Sequence, residues 1–336
     1  MTIRIDYDEL VHLLAAMFRR HGCSDHVALL LAENMAGAER DGAESHGLFR
    51  IAGNLGSLDS GWVDGKAEFT IEDVAPGMLR ADGRNGFALP VLAAASEALI
   101  AKARTNGIAL LTIRKAHHFG AVWPDIEPFA RAGFVALAMV NSMASVVPHG
   151  GHRKVFGTNP MGFAAPRAAG QEPLVFDQAS SAMANGDVQI AAREGRPLPP
   201  GTGVDRDGNP TTDPRAVLDG GALLPFGGYK GASIAMMMEI MGAALAGSDF
   251  SFEIDWSAYP GAATPHGGQT YILIDPGRGA SHAFTARMET LIAEMRDAGQ
   301  ERLPGDRRHA NRRENIAHGI PIDPERLAEI RRLAAG

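Results

Sequence analysis

The chain has 336 residues, of which 45% are hydrophobic and 21% are charged, and its formal net charge at pH 7 is −7. This length allows one large or two modest domains with a buried core, and the negative charge excludes a basic field of the kind that holds nucleic acid. A single cysteine, Cys23, excludes an internal disulfide and a cysteine-based zinc or iron–sulfur site. The sequence shows neither a signal peptide nor an apolar run long enough to span a membrane, so we expect a cytoplasmic protein.

Apolar residues at helical spacing predict two helices near the start of the chain, over residues 6–21 and 25–40. Asp6 or Asp8 can cap the first of them. Residues 53–86 follow, and they are rich in glycine and aspartate with short strand-like pieces. The chain therefore opens with a helical segment and continues into a region of turns and strands.

Strand and helix patterns alternate through the rest of the chain. Strands are predicted at 108–113, 134–141, 173–177 and 270–275, and helices at 89–107, 122–132, 182–194, 230–247, 281–299 and 320–334. The helix at 230–247 is almost entirely apolar, which predicts that it is buried. A turn-rich connector occupies residues 195–228. This order indicates an α/β protein with helices contributed by both chain ends.

The familiar phosphate and metal motifs are incomplete. No GxGxxG follows a strand, so the usual Rossmann signature is absent. The stretch FGGYKGAS (226–233) brings glycines and a lysine to a helix start, which fits either a tight turn or backbone amides that meet an anion. DRDGNPTTDP (205–214) begins like a calcium loop, but Pro210 and Ala216 stand where that loop needs glycine and glutamate. The second stretch is therefore predicted to be a turn, and no metal site is expected.

Two segments carry polar groups beside predicted strands. KAHHFGAVWP (115–124) follows the strand at 108–113, and α/β proteins keep catalytic groups at such strand ends. Neighbouring side chains there point in different directions, so at most one histidine faces a given site, and a surface pair is the alternative. HGGHRKVFGTNPMGFAAP (149–166) has no helical or strand period, and its Gly-Thr-Asn-Pro turn offers a hydroxyl and amides to a ligand.

Arginines are concentrated near the end of the chain, in the stretch RLPGDRRHANRR (302–313). This cluster fits either a solvated surface or a clamp for the phosphate of a cofactor, and the net charge disfavours a nucleic-acid patch. The arginines are Arg302, Arg307, Arg308, Arg312 and Arg313.

The stretch GAESHGLFR (42–50) concentrates three reactive groups at the predicted start of a helix. Ser45 is predicted to cap that helix, which would place His46 and Arg50, four residues apart, on one face. An arginine can hold a carboxylate with two hydrogen bonds, and a histidine one turn away can exchange a proton with the neighbouring substrate atom. A capped surface helix is the alternative.

Taken together, these stretches resemble the family of malate/L-lactate dehydrogenase-like NAD(P)-dependent oxidoreductases over nearly the whole chain. The version of the motif at 176–187 is most similar to that of the Δ1-piperideine-2-carboxylate/Δ1-pyrroline-2-carboxylate reductases in this family. The motifs are RDGAESHGLFR (40–50), HHFG (117–120), GTNPMGFAAP (157–166), FDQASSAMANGDV (176–188), DGNPTTDP (207–214), GGALLPFGGYKG (220–231) and LPGDRR (303–308).

The resemblance implies a non-Rossmann NAD(P)-binding α/β fold with a mixed sheet, and a homodimer that uses NADPH. It divides the chain into a helical substrate and dimerisation domain, residues 1–75 plus 290–336, and an NADPH-binding domain, residues 76–289. The active site would lie between the two domains.

The resemblance also implies roles for individual residues. Ser45, His46 and Asp187 would form a hydrogen-bonded proton relay, and Arg50 and Thr158 would bind the substrate. Arg307 and Arg308 are candidates for the 2′-phosphate of NADPH. The implied cofactor-binding residues are His118, Phe176, Asp177, Gln178, Tyr229, Lys230, Leu303, Pro304, Gly305, Asp306, Arg307 and Arg308.

Three functions remain open from the sequence. The first is NADPH-dependent reduction of the two cyclic imino acids to L-pipecolate and L-proline, in lysine and proline metabolism. The second is oxidation of a 2-hydroxy acid of the malate, lactate or ureidoglycolate type, with His46 as the base. The third is a non-catalytic dinucleotide-binding protein, which the intact set of Ser45, His46, Arg50 and His118 argues against.

Overall fold

The computed structural model describes residues 2–280 and 283–335. The strands within these ranges are β1 (Ile3–Ile5), β2 (Thr70–Ala75), β3 (Met78–Phe87), β4 (Ile108–His117), β5 (Val135–Val140), β6 (Met161–Ala165), β7 (Leu174–Gln178), β8 (Gly203–Val204), β9 (Pro210–Thr211), β10 (Ala222–Leu223), β11 (His266–Ile274) and β12 (Ile320–Ile322). The helices are α1 (Tyr7–Arg20), α2 (Asp25–Arg40), α3 (Ile51–Asp59), α4 (Ala88–Asn106), α5 (Trp123–Arg131), α6 (Asn185–Glu194), α7 (Pro214–Leu218), α8 (Tyr229–Glu239), α9 (Pro276–Ala280), α10 (Phe284–Asp297), α11 (Asp306–His318) and α12 (Pro324–Ala335).

A mixed seven-stranded sheet, in the order β2-β3-β4-β11-β5-β6-β7, forms the centre of the described structure. Strands β3 and β4 run parallel and are joined through α4, whereas the other neighbours in the sheet are antiparallel. The residues of the largest core come from this sheet together with α4 and α5. The predicted α/β class is therefore confirmed.

A second core joins the two ends of the chain. It contains buried residues of α1, α2 and α12, and strand β1 pairs with β12, so that Ile5 lies opposite Ile320. Asp6 caps α1 by accepting hydrogen bonds from the backbone amides of Asp8 and Glu9, which confirms one of the two predicted caps. Both chain ends therefore contribute to one core.

The predicted domain boundaries do not match element boundaries. Residue 75 ends β2, and β2 pairs with β3, so a boundary at 75/76 would divide a hairpin of the central sheet. Residue 290 lies inside α10. The sheet therefore begins no later than Thr70. The predicted start of a helix at 281 lies outside the described residues.

The apolar segment 230–247 is not buried as predicted. It forms α8 followed by a π-helical turn, Ile240–Ala244. Its residues Met236 and Ile240 are each 51% exposed, and Met237 and Leu245 are also exposed. One face packs on the protein and the other is an apolar surface.

Across the described residues, no helix combines the length and the apolar character needed to cross a bilayer.

The arginine-rich helix α11 is tied to the rest of the molecule by ion pairs. Arg312 pairs with the buried carboxylates of Asp41 and Glu127. Burial raises the pKa of Glu127, but the hydrogen bonds and charges of Arg312 and Arg131 more than offset this and lower it to about 2. Arg312 is therefore a structural residue, and the phosphate-clamp alternative does not hold for it.

A small cluster of metal-ligand types beside α11 is explained by the same ion pairs. Glu127, Glu172 and His309 bring their ligand atoms within 4.8 Å of one another. Arg131 pairs with both glutamates, and Arg312 pairs with Glu127. These arginines already supply the positive charge that the carboxylates require.

Replacing Arg312 with alanine is expected to lower the free energy of unfolding by about 3 kcal/mol, because two buried carboxylates lose their partner. Urea denaturation at pH 7 measures this, with the exposed Arg313→Ala on the same helix as the control. The pKa of Glu127 is lower in the folded protein, so its pairing contributes stability above its ordinary pKa of 4.5 and loses it as the pH falls towards 2. Equal stability of the two variants would contradict the ion-pair role.

Candidate active site

Residues 43–50 fold as two successive 3₁₀ turns that lead into α3. Ser45 is not the helix cap predicted from the sequence, because the first turn begins after Ala43 and has no side-chain capping bond. The Ser45 hydroxyl lies 3.1 Å from Nδ1 of His46 instead. The first contact of the predicted relay is therefore present, with a different local backbone.

Arg50 is fixed at the edge of the same segment. Its Nε donates to the carbonyl oxygen of Ser45 at 2.7 Å, and its guanidinium lies 4.3 Å from the centroid of the Phe119 ring. Burial lowers the pKa of Arg50 to about 10, against the opposing charge of Asp187, so the side chain is still charged at neutral pH. No ion pair within the described residues engages the guanidinium, so its outer nitrogens can receive a carboxylate.

His46 is neutral at pH 7 in this structure. Burial, with smaller contributions from the neighbouring Arg50 and His118, lowers its pKa to about 3. A neutral imidazole here can accept a proton, whereas proton donation requires a change that raises the pKa.

Asp187 lies in the first turn of α6 and is exposed. It lines a cavity that His46 and Arg50 also line. The preceding Gly186 packs against Ser45 and Arg50, where a Cβ atom would lie 3.2 Å from each side chain. This packing places α6 over the 3₁₀ segment. Among the hydrogen bonds of the described residues, none joins Asp187 to His46, and the charge of Asp187 acts on Arg50. The predicted third contact of the relay is thus not formed in this structure.

His118 follows β4 and lines the site, and its neighbour His117 is the last residue of β4; both are buried. Nε2 of His118 lies 2.8 Å from Asp125 Oδ2, and the Tyr271 hydroxyl donates to the same oxygen at 2.8 Å. Burial, together with the neighbouring Asp125, raises the pKa of Tyr271, so its hydroxyl keeps its proton and fixes the carboxylate. His117 bonds to Thr264. Of the pair, only His118 lines the large cavity of the site, and His117 lines a small adjacent space that His46 and Arg50 also border.

His46, Arg50, His118 and Asp187 line one cavity of about 730 Å³. Apolar side chains form part of its wall, among them Phe49, Phe119, Met143, Met183 and Trp256. Its polar lining includes His46, Arg50, His118, Ser142, Thr158 and Asp187. The structure therefore brings the predicted catalytic and substrate-binding residues together, although they are far apart in the sequence.

Two of the three predicted cofactor residues at the end of β7 line the cavity, and the third, Phe176, is partly buried beside them in the sequence. Asp177 and Gln178 line the cavity, and Asp177 also accepts hydrogen bonds from the backbone amides of Val122 and Trp123 at the start of α5. The Phe176 ring stacks on Phe163, with 5.5 Å between the ring centroids.

Two other predicted cofactor segments lie away from this cavity in the described structure. Tyr229 and Lys230 begin α8 and are exposed. Leu303 is buried, and its amide donates to Asp306. Arg308 donates to the carbonyl of Val175 and stacks on Trp123.

Comparison with known proteins identifies the family. The family model for malate/L-lactate dehydrogenase matches residues 5–331. The chain belongs to the malate/L-lactate dehydrogenase family.

Relatives in this family cover nearly the whole chain. A Δ1-pyrroline-2-carboxylate/Δ1-piperideine-2-carboxylate reductase of Pseudomonas syringae pv. tomato is 59% identical over 98% of this chain and 96% of its own. The crystal structure of Δ1-piperideine-2-carboxylate reductase from the same organism has a TM-score of 0.97 at 58% identity, covering 99% of this chain and 100% of that one. A (2R)-3-sulfolactate dehydrogenase (NADP(+)) of Chromohalobacter salexigens is 38% identical over 94% of this chain and 93% of its own. The predicted family is confirmed.

Asp125 and Tyr271 are site residues that the sequence analysis missed. Asp125 contacts His118, and Tyr271 in turn contacts Asp125. The two residues are 146 positions apart in the chain. The only sequence signal is an acidic residue in the first turn of the helix that follows the histidine pair.

Proposed function

We propose that this protein reduces Δ1-piperideine-2-carboxylate to L-pipecolate and Δ1-pyrroline-2-carboxylate to L-proline with NADPH. The observation that carries the proposal is the 59% identity, over almost the full length of both chains, with a relative that bears these substrates in its name. The cavity supports it, since Arg50 and His46 stand together beside apolar walls that suit an aliphatic ring.

The cavity contains groups that fit a nicotinamide cofactor. The Ser145 hydroxyl lines the cavity and is buried without a hydrogen-bond partner among the described residues. A carboxamide group could satisfy such a hydroxyl. Gln178 and His118 also line the cavity and would contact the cofactor. The NADP(+)-dependent sulfolactate dehydrogenase relative supports the choice of the phosphorylated cofactor.

The reaction adds a hydride to the carbon of the C=N bond and a proton to its nitrogen, and bound NADPH supplies the hydride. Arg50 binds the substrate carboxylate and thereby fixes the imine carbon and nitrogen relative to His46. Protonated His46 would donate from Nδ1 to the Ser45 hydroxyl, which leaves the Nε2 proton for the imine nitrogen.

Substrate binding would itself prepare His46 to act as an acid. In the free protein the charge of Arg50 helps to lower the pKa of His46. A bound carboxylate neutralises that charge, and approach of Asp187 adds a second negative group, so both raise the pKa of His46. Proton delivery therefore depends on the substrate and on Asp187.

A 2-hydroxy-acid dehydrogenase is the second candidate, because neutral His46 in the free protein is suited to accept a proton from a hydroxyl. The discriminating experiment follows NADPH oxidation with the two cyclic imines, pyruvate, oxaloacetate and 2-oxoglutarate side by side. We expect the highest kcat/KM with a cyclic imine. Higher values with the 2-oxo acids would favour the dehydrogenase.

We further propose a homodimer that covers the exposed face of α8. This face presents Met236, Met237, Ile240 and Leu245 to solvent in the single chain. Exposed apolar patches of this kind are typical of subunit interfaces, and a second copy of the chain supplies a matching apolar face.

Replacing Ile240 with glutamate is expected to convert the dimer into a monomer, because each copy would bury an unpaired charge at the interface. Sedimentation velocity measures the oligomeric state. Leu291→Glu, which changes an apolar residue of α10 that is 54% exposed, is the matched control. A dimer that persists in Ile240→Glu but dissociates in Leu291→Glu would place the interface elsewhere.

Arg307 is the better of the two candidates for the 2′-phosphate, because it is exposed while Arg308 is held by Val175 and Trp123. Arg307→Ala is expected to weaken NADPH binding relative to NADH by about tenfold. Fluorescence titration with both cofactors measures the ratio. Arg308→Ala is expected to lower stability more than the ratio, and an unchanged ratio in both variants would place the phosphate elsewhere.

A further inference from the structure

Glu239 is a buried carboxylate outside the cavity that none of the steps above uses. It is the last residue of α8 and is 4% exposed. No ion pair within the described residues includes it. A buried carboxylate without a cation is costly unless hydrogen bonds replace its water.

Four donors surround the Glu239 carboxylate. Oε1 accepts from Asn159 Nδ2 at 2.7 Å, from the Gly157 amide at 3.3 Å and from the Ser251 hydroxyl. Oε2 accepts from the Ser251 amide at 3.1 Å. An ionised carboxylate only accepts hydrogen bonds, so a set made entirely of donors matches the charged side chain.

The loop that donates to Glu239 has a strained backbone. Asn159 has a φ of +40°, in the left-handed region, and its side-chain oxygen accepts from the Ser142 amide at 3.1 Å. A Cβ atom at Gly157 would lie 2.5 Å from the Ser142 hydroxyl, so this position requires glycine. Such a backbone persists only where its surroundings hold it in place.

Between these two residues lies Thr158, which lines the cavity. Its Oγ1 lies 3.2 Å from the Ser142 hydroxyl, and its carbonyl accepts from the Ser180 amide at 2.8 Å. Glu239 thus holds the residues on both sides of Thr158 without touching the cavity itself.

We infer that Glu239 is a positioning residue that, through Gly157 and Asn159, fixes the Thr158 hydroxyl at the place where the substrate binds. This inference rests on the proposed function for the identity of the substrate. Because Glu239 belongs to the helix that exposes the apolar face, movement of α8 would also reach Thr158 through these hydrogen bonds.

The first test replaces Glu239 with glutamine, which keeps the size of the side chain but turns an acceptor into a donor that faces other donors. KM for the cyclic imine is expected to rise about tenfold or more, while Kd for NADPH stays within about twofold. The matched control is Glu253→Gln, because Glu253 accepts from the Phe250 amide in the same segment and does not contact the loop. A wild-type KM in Glu239→Gln would overturn the inference.

A double-mutant cycle separates positioning from general destabilisation. If Glu239 acts through Thr158, Glu239→Gln combined with Thr158→Val lowers kcat/KM no further than Thr158→Val alone. Effects that multiply would overturn the inference. Should Glu239→Gln fail to fold, Ser251→Ala removes the one hydroxyl donor that lies between Glu239 and Asn159 without adding a new donor. It enters the same cycle with the same criterion.

Hydrogen exchange tests Glu239 independently of any substrate. Exchange in the segment 155–162 is expected to be faster in Glu239→Gln than in wild type and in Glu253→Gln, since one remaining oxygen cannot serve all the donors that surround the carboxylate and the loop is held less firmly. Equal exchange in all three proteins would overturn the inference. If wild type reduces none of the cyclic imines, the proposed function fails, and this measurement still decides the role of Glu239.

Discussion

Replacing Arg50 with alanine is expected to raise KM for the cyclic imino acid about a hundredfold or more, because the substrate carboxylate would enter a partly apolar cavity without its charged partner. Arg50 is suited to this role since Ser45 and Phe119 fix its orientation before the substrate arrives. Initial rates at saturating NADPH measure KM. Arg50→Lys keeps the charge but loses the planar pair of donors, so most of the effect is expected to remain.

Arg193 provides the comparison that identifies the anchor. It lines the same cavity and its guanidinium lies 4.6 Å from the centroid of the Phe49 ring. If Arg193→Ala raises KM more than Arg50→Ala does, Arg193 binds the carboxylate instead. Kd for NADPH, measured on both variants, shows whether the rest of the cavity is intact.

Replacing Asp187 with asparagine is expected to lower kcat for imine reduction about a hundredfold or more, with folding and NADPH binding preserved. Burial and the charge of Arg50 hold the pKa of His46 at about 3, so the histidine needs negative charge nearby to become a proton donor at neutral pH. Asparagine has nearly the same shape as aspartate but cannot supply that charge.

The pH profile tests whether Asp187 acts through His46. Activity that needs protonated His46 falls as the pH rises through the pKa of His46 in the complex. Loss of Asp187 lowers that pKa, so the falling limb is expected to move to lower pH. Glu194→Gln, at the other end of α6, is the matched control. Near-normal activity with an unchanged pH profile would indicate that Asp187 only stabilises the start of α6. It would also favour the dehydrogenase alternative.

Local sequence patterns predict the elements well where a short segment is self-sufficient. The helices at 25–40 and 89–107 agree with α2 and α4 to within one residue at each end. Strand β11 is different, because its first residues include Gly267 and Gly268, which resemble a loop. A Cβ atom at Gly268 would lie 1.9 Å from the carbonyl oxygen of Gly242, so packing against another element demands glycine within the strand.

Composition alone could not distinguish a core from a surface at α8. An apolar helix is expected wherever water is excluded, whether by the same chain or by a partner. From the sequence, Met236 and Ile240 are therefore expected to be buried, although both are exposed to solvent in the single chain.

The residues of the candidate site that face the cavity could be predicted from the sequence. His46 and Arg50 lie in one short segment, and His118 follows a recognisable strand. Their supporting groups were not predictable, because Tyr271 meets Asp125, and Glu239 meets Asn159, only after the sheet has formed. The sequence could not distinguish the ion-pair role of Arg312 from a phosphate clamp, since its partners Asp41 and Glu127 are distant in the chain.

The pairing of β1 with β12 has a consequence for the protein while it is being made. Arg4 donates to the carbonyl of Gly319, which lies 315 residues later. At about 5–20 residues per second, the ribosome needs roughly 15–60 s to synthesise that interval. Throughout this time the apolar faces of α1 and α2 lack the α12 side of their core. The nascent chain therefore exposes an apolar N-terminal surface, which chaperones can bind, until its last helix emerges.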